Sequence, residues 1–115
     1  MVDEVRDWLH QLRKEDRETL RLIAAAIDVL ESQGPALGRP LVDTIQGSEL
    51  RHLKELRTGS SGSSEVRILF AFDPSRRAVL LMAGDKSGNW SGWYEQAIPL
   101  AEERYSAHLK AHGKE

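Results

Sequence analysis

Apolar positions along the chain change their period twice, and the changes divide it into helix, strand and helix again. Val5, Trp8, Leu9 and Leu12 recur at three- to four-residue spacing, which predicts a short amphipathic helix ending near Lys14, with Asp3 as its cap. Asp16 then presents a carboxylate to the orphan N–H groups of a second helix. Its apolar stripe is Leu20, Ile23, Ala24, Ile27 and Leu30, and Gly34-Pro35 stops it. Residues 53–57, 66–72 and 78–83 read as short strands. The last two flank Asp73-Pro74-Ser75-Arg76-Arg77, whose Asp and Pro suit the opening of a tight turn, so they form the clearest hairpin. Both runs are almost continuously apolar, so the N-terminal helices are expected to cover the sheet.

The remaining segments are connectors and a closing helix. Residues 38–49, punctuated by Pro40 and Gly47, are expected to be a weakly structured loop. The Gly/Ser run 59–64 reads as a flexible hairpin loop rather than a domain boundary. Residues 93–112 form the last helix, with Trp93, Ala97, Leu100 or Ala101, Arg104 or Tyr105, and His108 along one side. Pro99 either kinks it or marks where its main part begins. The predicted fold is α+β: two N-terminal helices packed on a small antiparallel sheet of three to four strands, followed by a C-terminal helix. One domain is expected over residues 1–115.

Composition narrows the chemistry. A chain of 115 residues with 40% hydrophobic and 30% charged content has the makeup of one ordinary globular core. It contains no cysteine, which excludes disulfides and thiolate metal sites. The opening Met1-Val2-Asp3-Glu4-Val5 has neither the basic flank nor the apolar segment of a secretory signal, and no apolar run approaches spanning length. A cytoplasmic protein without membrane contact is the expectation. The formal net charge of -2 argues against generic coating of nucleic acid. Within residues 50–94, however, seven Lys/Arg face four acids, leaving +3 there and -5 on the rest, so a polyanion site belongs in that segment.

The cations of interest are Lys54, Arg57, Arg67 and Lys86, each in or at the end of a predicted strand. Arginine holds phosphate through a planar, permanently charged fork, whereas a lysine can also move a proton. In a regular strand Lys54 and Arg57 point to opposite faces, and only a bulge or an end effect joins them. The plain alternative is that all four keep the sheet soluble. Residues 84–94 form a Gly/Ser-rich passage from strand to helix, a place where backbone donors can meet an anion, but neither the Walker spacing nor GxGxxG occurs. Trp93 is read as a core anchor, and Trp90 and Tyr94 as candidates to stack on an unpaired base. His108 and His112 have the four-residue spacing of metal ligands, but without HExxH context they read as a frayed, solvated helix end. His52 is the histidine suited to acid or base work. No GxSxG occurs, and Ser60 to Ser64 have no organised partner.

These residues carry a family resemblance. Leu53-Lys54-Glu55-Leu56-Arg57, Glu65-Val66-Arg67-Ile68, Val79-Leu80-Leu81, Gly84-Asp85-Lys86 and the closing helix through Ala101 and Tyr105 resemble RelE/HigB-type toxins of type II toxin–antitoxin modules, particularly their actinobacterial and phage-derived members. The resemblance covers roughly residues 5–110. It implies a RelE-like fold and a metal-independent, ribosome-dependent endoribonuclease that cuts messenger RNA, with the 2′-hydroxyl attacking the adjacent phosphate. It also implies a cognate helix-turn-helix antitoxin, with the ribosome and mRNA as further partners and no cofactor. Self-association and a toxin–antitoxin hetero-oligomer are both open. The catalytic set carried over is Lys54, Arg57, Arg67, Lys86 and Tyr94: Lys86 or Lys54 for proton transfer, Arg57 and Arg67 for phosphate, and Tyr94 or Trp90 for stacking. His52, Arg76, Arg77, Asn89 and Trp90 complete the expected RNA-binding surface. A noncatalytic module with the same fold, binding an antitoxin or nucleic acid, is the alternative. A small-molecule enzyme would instead require a deep pocket around residues 90–94.

Overall fold

The computed structural model of the chain describes residues 1–112. Helix α1 spans Asp3–Glu15 and α2 spans Arg17–Gln33. Asp16 caps α2 as its sequence position requires, accepting the Thr19 N–H at 3.1 Å. Gly34 ends the helix at φ 61°, a left-handed backbone that favours glycine. Asp3 is not a cap. It lies inside the first turn of α1, where its charge still suits the helix dipole, while Val2 precedes the helix and donates its N–H to Leu80 O at 3.0 Å.

Four antiparallel strands follow, β1 Val42–Thr44, β2 Lys54–Arg57, β3 Val66–Phe72 and β4 Ala78–Asp85, in the order β1-β2-β3-β4. The segment expected to be a loop thus contributes an edge strand. Three residues are too few to display alternation, yet Val42 opposite Leu56 is buried and fixes the register. In β2 and β3, Glu55 faces Leu69 and Arg57 faces Arg67, while a register shift between Leu69 and Phe70 bends the β3–β4 pair.

Both faces of the sheet are covered, which explains the nearly continuous apolar strands. On one side Val5, Ile23 and Leu30 of the N-terminal helices pack on Leu56, Val66, Ile68, Phe70 and Leu80. On the other, Ala97, Ala101 and Tyr105 of α3 (Trp90–Ala111) pack on Leu53, Leu69, Ala71, Val79 and Leu81. The expected two-helix cover is therefore half of the arrangement, and the closing helix supplies the rest. It begins three residues earlier than its periodicity predicts and runs through Pro99, which lies on its exposed side.

The Gly/Ser loop is tethered rather than free, contrary to its composition. Ser61 donates its N–H to Thr19 Oγ1 at 2.9 Å and its hydroxyl to Asp16 at 2.6 Å, so it does have an organised partner in the α2 cap. Its serines also bond within the loop, Ser60 Oγ to Ser64 O and Ser64 Oγ to Ser61 O. Among the described residues no helix is long and apolar enough to cross a membrane.

Candidate functional site

The α3-facing side of β2 carries Glu55 and Arg57, and the same side of β3 carries Arg67. Glu55 is only 3% exposed, so its carboxylate requires partners. Arg57 Nε donates to Glu55 Oε1 at 2.8 Å, Arg67 Nε approaches the same oxygen at 3.8 Å, and Tyr94 of α3 donates its hydroxyl to Oε2 at 2.6 Å. Arg57 reaches further to Asp43 Oδ2 at 3.0 Å, a carboxylate also held by Arg39. The Glu55 hydrogen bond raises the Arg57 pKa above its ordinary value. Burial, together with the Glu55 bond, pushes the Tyr94 phenol well above the usual tyrosine range. Tyr94 is therefore a neutral donor at physiological pH. Among the described residues the buried Arg67 Nε has no hydrogen-bond partner, while its guanidinium donates to Val66 O at 2.8 Å.

Lys86 adjoins this cluster from the strand-to-helix passage. It is 8% exposed, with Nζ 4.4 Å from the centre of the Trp90 ring, 5.4 Å from that of Tyr94 and 3.9 Å from Glu65 Oε2. Trp90 itself is 59% exposed. Trp93 packs edge-on against Tyr94, and its indole lies so close to Gly84 that an added Cβ would overlap it. Asn89 precedes α3, donating its N–H to Lys86 O and accepting from the Trp93 N–H. A shallow groove of about 310 Å³ runs over Asp43, Ile45, Glu55, Arg57, Tyr94 and Ile98. The surface beyond Tyr94 is acidic, with Glu49, Glu95 and Glu102 bordering a second open groove. Neither groove is the deep pocket that a small-molecule enzyme would require.

Arg57, Arg67, Lys86, Tyr94, Trp90 and Asn89 thus share one region. Four other expected members do not join it. Lys54 points to the opposite face with Leu56 and Phe70, because β2 is regular and no bulge rotates it. His52 bonds the Tyr105 hydroxyl at 3.3 Å, and Tyr105 in turn donates to Phe72 O, which places the histidine at the hairpin end of the sheet. Arg76 and Arg77 occupy the hairpin itself. His108, expected to be frayed and solvated, is anchored there by Asp73 at 3.2 Å. Burial raises the Asp73 pKa, but hydrogen bonds from the Arg77 N–H, His108 and the Ser75 backbone outweigh it and hold the carboxyl below the usual aspartate value. Glu55 is the residue that sequence reasoning missed. Its signal was an acid between two cations at a position whose strand neighbours Leu53 and Leu69 face the core.

Comparison with known proteins places the chain in a family. The family described as "Phage derived protein Gp49-like" matches residues 7–106. The chain is 56% identical over 108 residues to the Mycobacterium tuberculosis H37Rv protein named "Putative toxin HigB2", covering 94% of this chain and 52% of that one. It is 46% identical over 104 residues to "Putative toxin HigB3" of the same organism, covering 90% and 86% respectively. The chain therefore spans about half the length of the first relative and most of the second. No solved structure matches it. The RelE/HigB resemblance seen in the strands and the helix–sheet–helix order is thereby borne out, and the chain belongs to the Gp49-like family of phage-derived proteins.

Proposed function

We propose that this chain is the toxin of a toxin–antitoxin module and that it cleaves messenger RNA at the ribosome without a metal. The observation that carries the reading is the gathering of Arg57, Arg67 and Lys86 around Tyr94 and the exposed Trp90 on one side of the sheet. The 2′-oxygen of the RNA attacks the adjacent phosphorus and loses its proton. The bond from phosphorus to the 5′-oxygen breaks, and that oxygen takes up a proton. On this reading Arg57 and Arg67 offset charge developing on the nonbridging oxygens, and Lys86 transfers a proton. Trp90 stacks on an unpaired base. Glu55 does not meet the RNA: it bonds Arg57 at 2.8 Å and sets a counter-charge 3.8 Å from Arg67. The partners on this reading are a cognate helix-turn-helix antitoxin, the ribosome and mRNA, in the cytoplasm.

A specific observation favours a noncatalytic module of the same fold. Arg57 is engaged by Glu55 and Asp43, and Lys86 lies near Glu65, so phosphate must compete with carboxylates already in place. Brief induction in cells, with growth followed and cut sites mapped by primer extension, separates the two. The nuclease reading expects growth arrest and cuts inside translated regions, with cleavage falling about a hundredfold for Arg67→Ala and for Lys86→Ala. Unchanged messages from a folded chain leave the binding module.

A further inference from the structure

At the hairpin end of the sheet a groove opens between α2 and the last two strands. Ile27 and Leu30 of α2, Phe72 of β3, and Ala78 and Leu80 of β4 floor this groove of about 290 Å³, on the face of the sheet away from Glu55 and Tyr94. Ile27, Phe72 and Ala78 are only half-buried, so the floor retains apolar area that an occupant would remove from water. The rim carries Arg76, Arg77 and a single acid, Glu31. These arginines differ from those of the candidate site. Arg76 is exposed in the tight turn at φ 66° and makes no side-chain ion pair among the described residues. Arg77 is 71% exposed on its side chain and reaches Asp73 only at 4.0 Å. An unpaired Arg76 and a loosely paired Arg77 beside an apolar floor call for an occupant that supplies both apolar and acidic groups.

The backbone limits how that occupant binds. The Val2 N–H already occupies Leu80 O at 3.0 Å, so this stretch of the sheet edge is partly closed to an added strand, and an occupant binds through its side chains. A helix presents such side chains on one face at i, i+3, i+4 and i+7. RNA suits the groove less well, because the floor's ring, Phe72, is half-buried and packed edge-on against Phe70, where an unpaired base would require an exposed ring.

We propose that this groove docks an acidic amphipathic helix of a partner protein, with its apolar stripe on Ile27, Phe72 and Ala78 and its carboxylates on Arg76 and Arg77. Only the identity of that partner as an antitoxin rests on the toxin reading; the groove chemistry does not. The test is an amide-resolved NMR titration of the full chain with a synthetic helix of about five turns, bearing Leu on one face and Glu on its flanks. A peptide with Lys in place of Glu and a single-stranded oligoribonucleotide serve as comparisons. The proposal expects the acidic peptide to shift the amides of Ile27, Phe72, Arg76 and Ala78 and to bind about tenfold tighter than its Lys counterpart. That preference should vanish in Arg76→Glu/Arg77→Glu and survive in Arg76→Lys/Arg77→Lys. Absence of binding, equal binding of both peptides, shifts confined to other surfaces, or tighter binding of the oligoribonucleotide at the same amides would overturn it. None of these readouts depends on RNA cleavage, so the nuclease reading and the groove can fail separately.

Discussion

Glu55 organises the candidate site from the middle of a short strand. Its carboxylate is buried and accepts from Arg57 and Tyr94 while facing Arg67. A lone charge in that position would be strongly unfavourable, so its partners are fixed as much by Glu55 as Glu55 is by them. Glu55→Gln keeps the shape and an acceptor for Tyr94 but leaves two guanidiniums without their shared counter-charge. The expected cost is about 2–3 kcal/mol by urea denaturation, below that of a fully buried pair because Arg57 is 40% exposed on its side chain. On the nuclease reading, cleavage should fall as well, since Arg57 loses the bond that aims it.

At the scale of elements, the site depends on how closely α3 approaches β4. Gly84 stands opposite Arg67 in the sheet and directly beneath the Trp93 indole. Gly84→Ala would force the helix outward, carrying Tyr94 away from Glu55. The expected loss is about 1–3 kcal/mol, as for other overpacked cores, with a red shift of tryptophan emission as Trp93 moves toward water. An unchanged melting temperature and spectrum would mean that α3 has room to spare. The same dependence on neighbours accounts for β1 and for the Ser61 loop. Three residues become a strand because β2 supplies their hydrogen bonds, and a Gly/Ser run becomes ordered because Asp16 and Thr19 of another element receive it.

For the whole molecule, charge is distributed by end and by face. One end of the sheet holds Arg57, Arg67 and Lys86 with their acids; the other holds Asp73, His108, Arg76 and Arg77. Asp73 links this arrangement to pH. Its carboxyl is held below the ordinary aspartate value, so the native state favours the ionised form. That contribution is fully present above the unfolded value near ~4 and is lost as pH falls through the folded value. Asp16, Asp43 and Asp85 are depressed in the same direction. Urea midpoints are therefore expected to hold from about pH 6 down to about pH 4 and to drop below it, with a shallower drop in Asp73→Asn. Equal slopes for the two chains would show that Asp73 does not carry acid sensitivity.

The amino-acid sequence alone determined the helices, the hairpin and the class of fold, because these follow from local periodicity, the Asp16 cap and the Gly34 stop. It also supplied Arg57, Arg67, Lys86, Tyr94 and Trp90 as candidates, because cations and aromatics in a strand-to-helix passage can be read directly. Which of them meet was decided only by tertiary structure. Strand alternation sent Lys54 to the opposite face, chain reversal carried Arg76, Arg77 and His52 to the far end, and cross-strand register placed a buried carboxylate among the guanidiniums. The physical reason is range: caps and apolar periods act within a few residues, whereas Glu55 and Tyr94 lie 39 residues apart and touch only once the sheet and the last helix have packed.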